Sequence, residues 1–109
     1  MINENTNNRR NNWSFPYKAR MLLPHAQRRL DAFRAEETAW RLRMAELIQD
    51  PAMFHNDALL QQVKRDIDRT AGLREQFEVY VHEFVRLPEH EYHLGLSDVV
   101  FFGLLEAPR

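Results

Sequence analysis

The chain has 109 residues, 44% of them apolar, and a formal net charge of −1. This length suits one small domain with a modest core. Cysteine is absent, which excludes disulfides, thiolate metal sites and cysteine nucleophiles. No apolar run reaches the roughly 18 to 20 residues that span a bilayer, so we expect a cytoplasmic chain that makes no contact with membranes.

Residues 1–12 are polar, and asparagine occupies six of the twelve positions. Such a segment buries too little apolar surface to offset the entropy lost on ordering. The composition therefore predicts a flexible N-terminal tail at 1–12, followed by a single helical domain at 13–109.

Three aromatic residues, Trp13, Phe15 and Tyr17, follow the tail. Pro16 disfavours helical backbone at the residue before it, which predicts an extended arm. The arm either folds back over the apolar side of the helices or docks on another protein.

Two long amphipathic segments dominate the rest of the chain, at about 24–49 and about 55–86. Apolar residues recur in both at alternating spacings of three and four, which is the pattern of a heptad seam. The seam positions are Ala26, Leu30, Phe33, Glu37, Trp40, Met44 and Leu47 in the first segment, and Leu60, Val63, Ile67, Thr70, Arg74, Phe77, Val81 and Phe84 in the second. The short connection between them predicts an antiparallel helical hairpin.

One charged pair is predicted to fix the register of this hairpin. Glu37 is the charged seam residue of the first helix, and Arg74 is that of the second. Antiparallel packing about a turn at 50–55 places the two side chains opposite each other. Buried ion pairs contribute little net stability but can specify register.

Proline, asparagine and glycine mark the predicted helix ends. Pro24 suits the first turn of the first helix, where its missing N–H is not needed. Asp50 and Pro51 form a break that doubles as the start of the second helix, with Asp50 as its cap, and Asn56 is a competing start. Gly72 interrupts the second segment, yet the seam keeps its phase across it, which favours one continuous helix over two.

The C-terminal segment is nearly all apolar and predicts a short helix at about 97–105. Ser97 is the expected N-cap, although the Val and Phe content also suits a strand. If this segment and the aromatic arm are exposed, they form a partner surface. The partner-binding candidates are Trp13, Phe15, Tyr17, Val99, Phe101 and Phe102.

Two other kinds of site are possible alternatives. His82, His90 and His93 lie within twelve residues among glutamates, and imidazoles bind zinc, but their spacing matches no metal motif. Residues 1–49 carry nine basic and five acidic side chains, whereas 50–109 carry six and eleven. Arginines on the first helix can therefore track phosphates or pair with the acidic second helix. These arginines are Arg28, Arg29, Arg34, Arg41 and Arg43.

These patterns predict an all-α protein without a cofactor or catalytic site. Two helices alone bury one stripe each, so a homodimer with a four-helix core is expected. The corresponding functional hypothesis is non-enzymatic protein–protein association in an accessory, adaptor or regulatory role. A nucleic-acid-binding regulator and a small metal-binding protein are the alternatives.

Overall fold

The computed structural model describes residues 14–105, so the predicted tail at 1–12, Trp13 and the last four residues lie outside the described chain. The predicted all-α hairpin is confirmed: two long helices pack against each other, followed by a short third helix. In chain order the elements are β1 (Phe15–Lys18), α1 (Ala19–Gln49), α2 (Asp57–Arg86), β2 (Glu91–Leu94) and α3 (Leu96–Phe101).

The side chains at the predicted seam positions of the two long helices face the interior of the protein. The buried apolar members are Ala26, Leu30, Leu47, Val63, Ile67, Phe77 and Phe84. The remaining seam side chains are at least partly buried. Because the helices are antiparallel neighbours, Phe33 on α1 meets Phe77 on α2, with ring centroids 5.7 Å apart.

Helix α1 begins at Ala19, five residues before the predicted start, and continues through Pro24. Two backbone carbonyls from the far end of the chain satisfy its first N–H groups. Ala19 N–H donates to the carbonyl of His90 at 2.8 Å, and Arg20 N–H donates to that of Pro88 at 2.9 Å. These donors need partners at any helix start. The start is therefore set by tertiary contacts, which a local proline signal does not reveal.

The hairpin turn uses both candidate caps. Asp50 Oδ1 accepts from Ala52 N–H at 2.8 Å and closes the turn, while Asn56 Oδ1 accepts from Leu59 N–H at 3.1 Å and caps α2. Helix α2 then runs without a break from Asp57 to Arg86. The predicted continuity across Gly72 is confirmed.

The extended N-terminal arm is confirmed as β1, and its partner β2 lies between the helices predicted at about 55–86 and about 97–105, where the sequence predicts no strand. The two strands are antiparallel, with Phe15 opposite Leu94 and Lys18 opposite Glu91. Tyr92 and Leu94 turn inward while Glu91 and His93 stay exposed. This alternation is typical of a half-buried strand, but four residues are too few to stand out from a turn.

Helix α3 is shorter than predicted and ends at Phe101. Its N-cap is Gly95, without a side-chain cap, so the expected role of Ser97 is not found. Gly103 has a φ of 73°. Its N–H donates to the carbonyl of Val100, and Leu104 N–H donates to that of Val99. This pair of bonds is a Schellman motif, which ends the helix.

The chain divides into two compact units. In its described part, unit 1 comprises 14–29 and 79–105, and its core contains Leu22, Phe84 and Phe102. Unit 2 is Leu30–Glu78. Its core is built on Leu47, Val63 and Ile67, with Trp40, Met44, Leu59 and Leu60 packed against them. Among residues 14–105, no helix is long and apolar enough to cross a membrane.

Candidate functional site

In unit 2 the structure brings Glu37 and Arg74 together. Arg74 Nε lies 2.5 Å from Glu37 Oε1, and Glu37 is only 8% exposed. Arg41, one turn along α1, contacts the other oxygen of Glu37 at 2.8 Å. Arg74 also reaches Glu78 Oε1 at 3.0 Å. Both oxygens of the buried carboxylate are therefore satisfied, which is the condition under which a charge is tolerated there.

The electrostatics of this pair follow from its hydrogen bonds. The Arg74 guanidinium, and after it Arg41, hold the pKa of Glu37 below its ordinary value. The Glu37 carboxylate in turn raises the pKa of Arg74. Each group thus keeps the other ionised. The contacts are those of an ion pair between α1 and α2 that is extended by Arg41 and Glu78.

A second polar cluster of unit 2 is centred on Glu36. Its Oε2 accepts from Arg69 at 2.9 Å, from Trp40 Nε1 at 3.3 Å and from the buried Thr70 hydroxyl at 3.3 Å. The Arg69 hydrogen bond is the largest influence lowering the pKa of Glu36. The sequence places Thr70 on the seam but does not predict its hydrogen-bond partner. The need for a partner could have been inferred from a threonine at an otherwise apolar position, because a buried hydroxyl needs a hydrogen bond.

In unit 1 a small cavity is lined mainly by aromatic and aliphatic side chains. Its volume is about 30 Å³, room for one or two water molecules. The lining residues are Leu22, Tyr80, Glu83, Phe84, Tyr92, Leu94 and Phe102. The Tyr92 hydroxyl donates to Glu83 Oε2. Burial, and then this bond, raises the pKa of Tyr92 to about 12. The cavity is too small for a cofactor or a metabolite.

The predicted partner-binding aromatics are largely used inside unit 1. Val99 is 3% exposed and Phe102 is 2% exposed, because α3 and the C-cap residue that follows it turn these two side chains into the core. Phe101 is partly buried and packs its ring edge-on against Phe102. Phe15 and Tyr17 are partly buried on β1. Trp13 lies outside the described residues.

The histidine alternative has no geometric support. Within residues 14–105, no three His, Cys, Asp or Glu side chains come close enough to hold a metal ion. His90 packs against the Tyr92 ring with centroids 4.7 Å apart. His93 Nε2 lies 3.8 Å from Glu91 Oε1, and His82 is exposed on α2. The predicted trio His82, His90 and His93 is therefore not assembled into a site.

Four of the five arginines of the nucleic-acid alternative have partners within the protein. Arg28 donates to His25 Nδ1, and Arg29 donates to the carbonyl of Val100. Arg34 lies 3.4 Å from Glu78, and Arg41 is held by Glu37. Arg43 is exposed. The acidic partners of Arg34 and Arg41 offset their positive charge, which disfavours a phosphate-binding row on unit 2.

Large apolar side chains stay exposed in both units. On α3 of unit 1, Leu96 is 57% exposed and Val100 is 55% exposed, one helical turn apart. In unit 2, Ile48 is 57% exposed and Phe54 is 45% exposed at and near the hairpin turn. At α3 and just after it, the sequence instead predicts Val99, Phe101 and Phe102 as partner-binding residues. Successive residues of a helix are about 100° apart, so the exposed Val100 lies between two residues that are at least partly buried.

Comparison with known proteins yields no match for this chain among protein-family models, curated proteins or solved structures.

Proposed function

We propose that the chain is a non-enzymatic helical protein of the cytoplasm that acts by protein–protein association, in an accessory or regulatory role, and that it self-associates. The observation that carries the proposal is the exposure of large apolar side chains on ordered elements. Contiguous exposed apolar surface is typical of contact sites.

The C-terminal helix supplies one such surface. Leu96 and Val100 lie one helical turn apart on α3 and are exposed, while Val99 between them in the chain is buried in the core. A helix that is held in place by a buried residue presents its exposed residues at little entropic cost, because the backbone is already ordered.

The hairpin turn supplies a second surface. Turns are usually polar, yet the turn after α1 carries Met53 and Phe54, which are 37% and 45% exposed. Ile48, in the last turn of α1, adds a third exposed apolar side chain nearby in the chain. Burying such groups at an interface contributes more than any exposed ion pair of this protein.

Sedimentation equilibrium over a wide concentration range tests the proposal. We expect a reversible increase in mass with concentration for the natural chain. Replacing Leu96 and Val100 with serine, or Ile48 and Phe54 with serine, separates the two surfaces, because each double variant removes one of them. The surface that mediates association is the one whose loss weakens it by about tenfold.

The control is Ala52→Ser, which changes an exposed residue of the same turn without removing a large apolar group. Circular dichroism verifies that each variant keeps its helices. A chain that remains monomeric at hundreds of micromolar would contradict self-association.

A further inference from the structure

The backbone hydrogen bonds of the two-stranded sheet show which N–H and carbonyl groups point away from the partner strand. Ala19 N–H donates to the His90 carbonyl, and this pair continues the register in which Tyr17 faces Tyr92 and Phe15 faces Leu94. In an antiparallel ladder, hydrogen-bonded and non-bonded pairs alternate. The backbone groups of Tyr92 and Leu94 therefore point towards β1, and those of Glu91 and His93 point away from it.

The two outer edges of the sheet are not equivalent. On β1 the outward residues are Pro16 and Lys18, and proline has no N–H to donate. A proline and a lysine are the residues with which proteins protect an edge strand. On β2 both outward residues, Glu91 and His93, carry an N–H and a carbonyl. Within residues 14–105, neither N–H donates to a backbone carbonyl outside the strand pair. The edge of β2 is therefore the one able to accept another strand.

We propose that β2 is the self-association edge and that its occupant is β2 of a second copy, which yields a four-stranded antiparallel sheet across a two-fold axis. This inference rests on the self-association proposed above and specifies its site. A two-fold contact uses the same patch on both copies, so each outward residue needs an outward partner.

Charge selects the register of this pairing. In three registers, a residue of β2 whose backbone groups point away from β1 lies opposite such a residue of the second copy. Two of these registers place Glu91 opposite Glu91, or His93 opposite His93, and identical ionisable side chains gain no charge attraction. Placing Glu91 opposite His93 of the second copy makes a carboxylate–imidazole pair, and the symmetry makes it twice. Tyr92 then lies at the two-fold axis.

The side chains already have the geometry that this register requires. Glu91 and His93 lie on one face of β2, with Glu91 Oε1 3.8 Å from His93 Nε2, and about half of each side chain is exposed. Tyr92 and Leu94 occupy the opposite face and are held by the core of unit 1. The pairing therefore exchanges a loose contact within one chain for two contacts between chains and leaves the core unchanged.

A four-residue strand contributes few hydrogen bonds, so the contact needs apolar area beside it. Helix α3 follows β2 after a single residue and contacts it. Its outward residues Leu96 and Val100 supply that area. Self-association through the β2 edge thus predicts that the α3 surface, rather than the hairpin turn, is covered in the dimer.

A charge exchange tests the register. In the Glu91→Lys variant the introduced lysine faces His93, and in the His93→Glu variant the introduced glutamate faces Glu91. We expect each variant alone to dimerise about tenfold more weakly than the natural chain. Glu91→Lys removes both carboxylate–imidazole pairs, and His93→Glu replaces them with two carboxylate–carboxylate pairs. An equimolar mixture pairs the lysine with the introduced glutamate and keeps one natural pair. We expect the mixture to recover dimerisation as a heterodimer.

The control is His82→Glu, which makes the same change at an exposed site on α2. Cysteine crosslinking provides a second measurement, since the chain has no natural thiol. Glu91→Cys mixed with His93→Cys is expected to form a disulfide dimer under mild oxidation, and neither variant alone is expected to do so efficiently.

The outcomes separate this inference from the proposed function. Dimerisation that both charge variants leave intact overturns the β2 edge while self-association stands. Weakening by both variants without recovery in the mixture overturns the register and with it the proposed pairing. A natural chain that never self-associates overturns both.

Discussion

Arg74 on α2 donates through Nε to Glu37 Oε1 on α1 at 2.5 Å, and this contact joins the only acidic position of one predicted seam to the only basic position of the other. The carboxylate is 8% exposed, and the Arg74 side chain is 25% exposed. Buried charges that meet across two helices favour one alignment over its neighbours. A shift by one heptad separates Glu37 from Arg74 and leaves each with only a partner on its own helix, Arg41 for Glu37 and Glu78 for Arg74.

We predict that Arg74→Leu destabilises the protein more than the double change Glu37→Leu with Arg74→Leu. The single variant leaves a carboxylate among apolar neighbours with only Arg41 to neutralise it, whereas the double variant fills the same space with apolar groups. Urea unfolding followed by circular dichroism measures both. Arg65→Leu, on the exposed face of α2, is the matched control. Equal losses for the single and double variants would mean that the pair does not act as a unit.

We predict that acid weakens the fold partly through Glu37. Its pKa is lowered in the folded state, so the unfolded chain binds the proton more tightly. The stabilisation is therefore complete above the ordinary pKa of 4.5 and is lost as the pH falls through the lower folded value. The urea midpoint of the natural chain should fall between about pH 5 and about pH 3 by more than that of Glu37→Gln. Glu46→Gln, on the exposed face of α1, should behave like the natural chain.

Long-range periodicity is what made the hairpin and its charged pair predictable. Seven or eight seam residues define the inward face of each helix, and the position of the turn determines which residues lie opposite each other. The contact between Glu37 and Arg74 could therefore be predicted from their spacing in the sequence. Strand β2 was missed because Glu91–Leu94 is too short to establish a period of two. The start of α1 was missed because its capping carbonyls, Pro88 and His90, lie about seventy residues away in the chain.

The exposed residues of the proposed contact surfaces were harder to predict than the fold for a related reason. The inward face of a long helix can be predicted from its heptad seam even when the helix ends are uncertain by one residue. In a six-residue helix such as α3, however, an uncertain start leaves open whether Val99 or Val100 is buried. The outward edge of β2 depends on the hydrogen-bonding phase of a ladder, which no property of Glu91 or His93 reveals before the strand pair is known.

We predict that Gly72→Ala stabilises the protein by about 0.5–1 kcal/mol. Gly72 lies within α2, is exposed, and a Cβ added there meets no atom within 4 Å. Alanine reduces the conformational freedom of the unfolded chain without a clash. The midpoint of thermal unfolding should rise by a few degrees for a domain of this size. A fall in the midpoint would indicate that α2 bends at this residue in solution.

We predict the opposite sign for Gly103→Ala. Gly103 has a φ of 73°, a region in which side chains are strained, and it ends α3 in the Schellman motif. Alanine should destabilise the protein by about 1 kcal/mol. Gly103→Asn is the informative comparison, because asparagine tolerates this backbone conformation better than alanine. If alanine and asparagine are equally harmful, the loss reflects crowding in the core rather than the backbone angle.

We predict that Tyr92→Phe destabilises the protein by about 1 kcal/mol or somewhat more, because it leaves Glu83 without its hydroxyl donor beside an apolar cavity. Alkaline titration provides the independent measurement. The folded-state pKa of Tyr92 is raised to about 12, so its neutral form contributes stability that is complete below the ordinary pKa of 10.0 and is lost as the pH rises through 12. The ultraviolet difference titration between the natural chain and Tyr92→Phe should therefore show one phenol that ionises near pH 12 or only on unfolding. A Tyr92 phenol that ionises at its ordinary pKa in the folded protein would show that the hydroxyl faces water instead of Glu83.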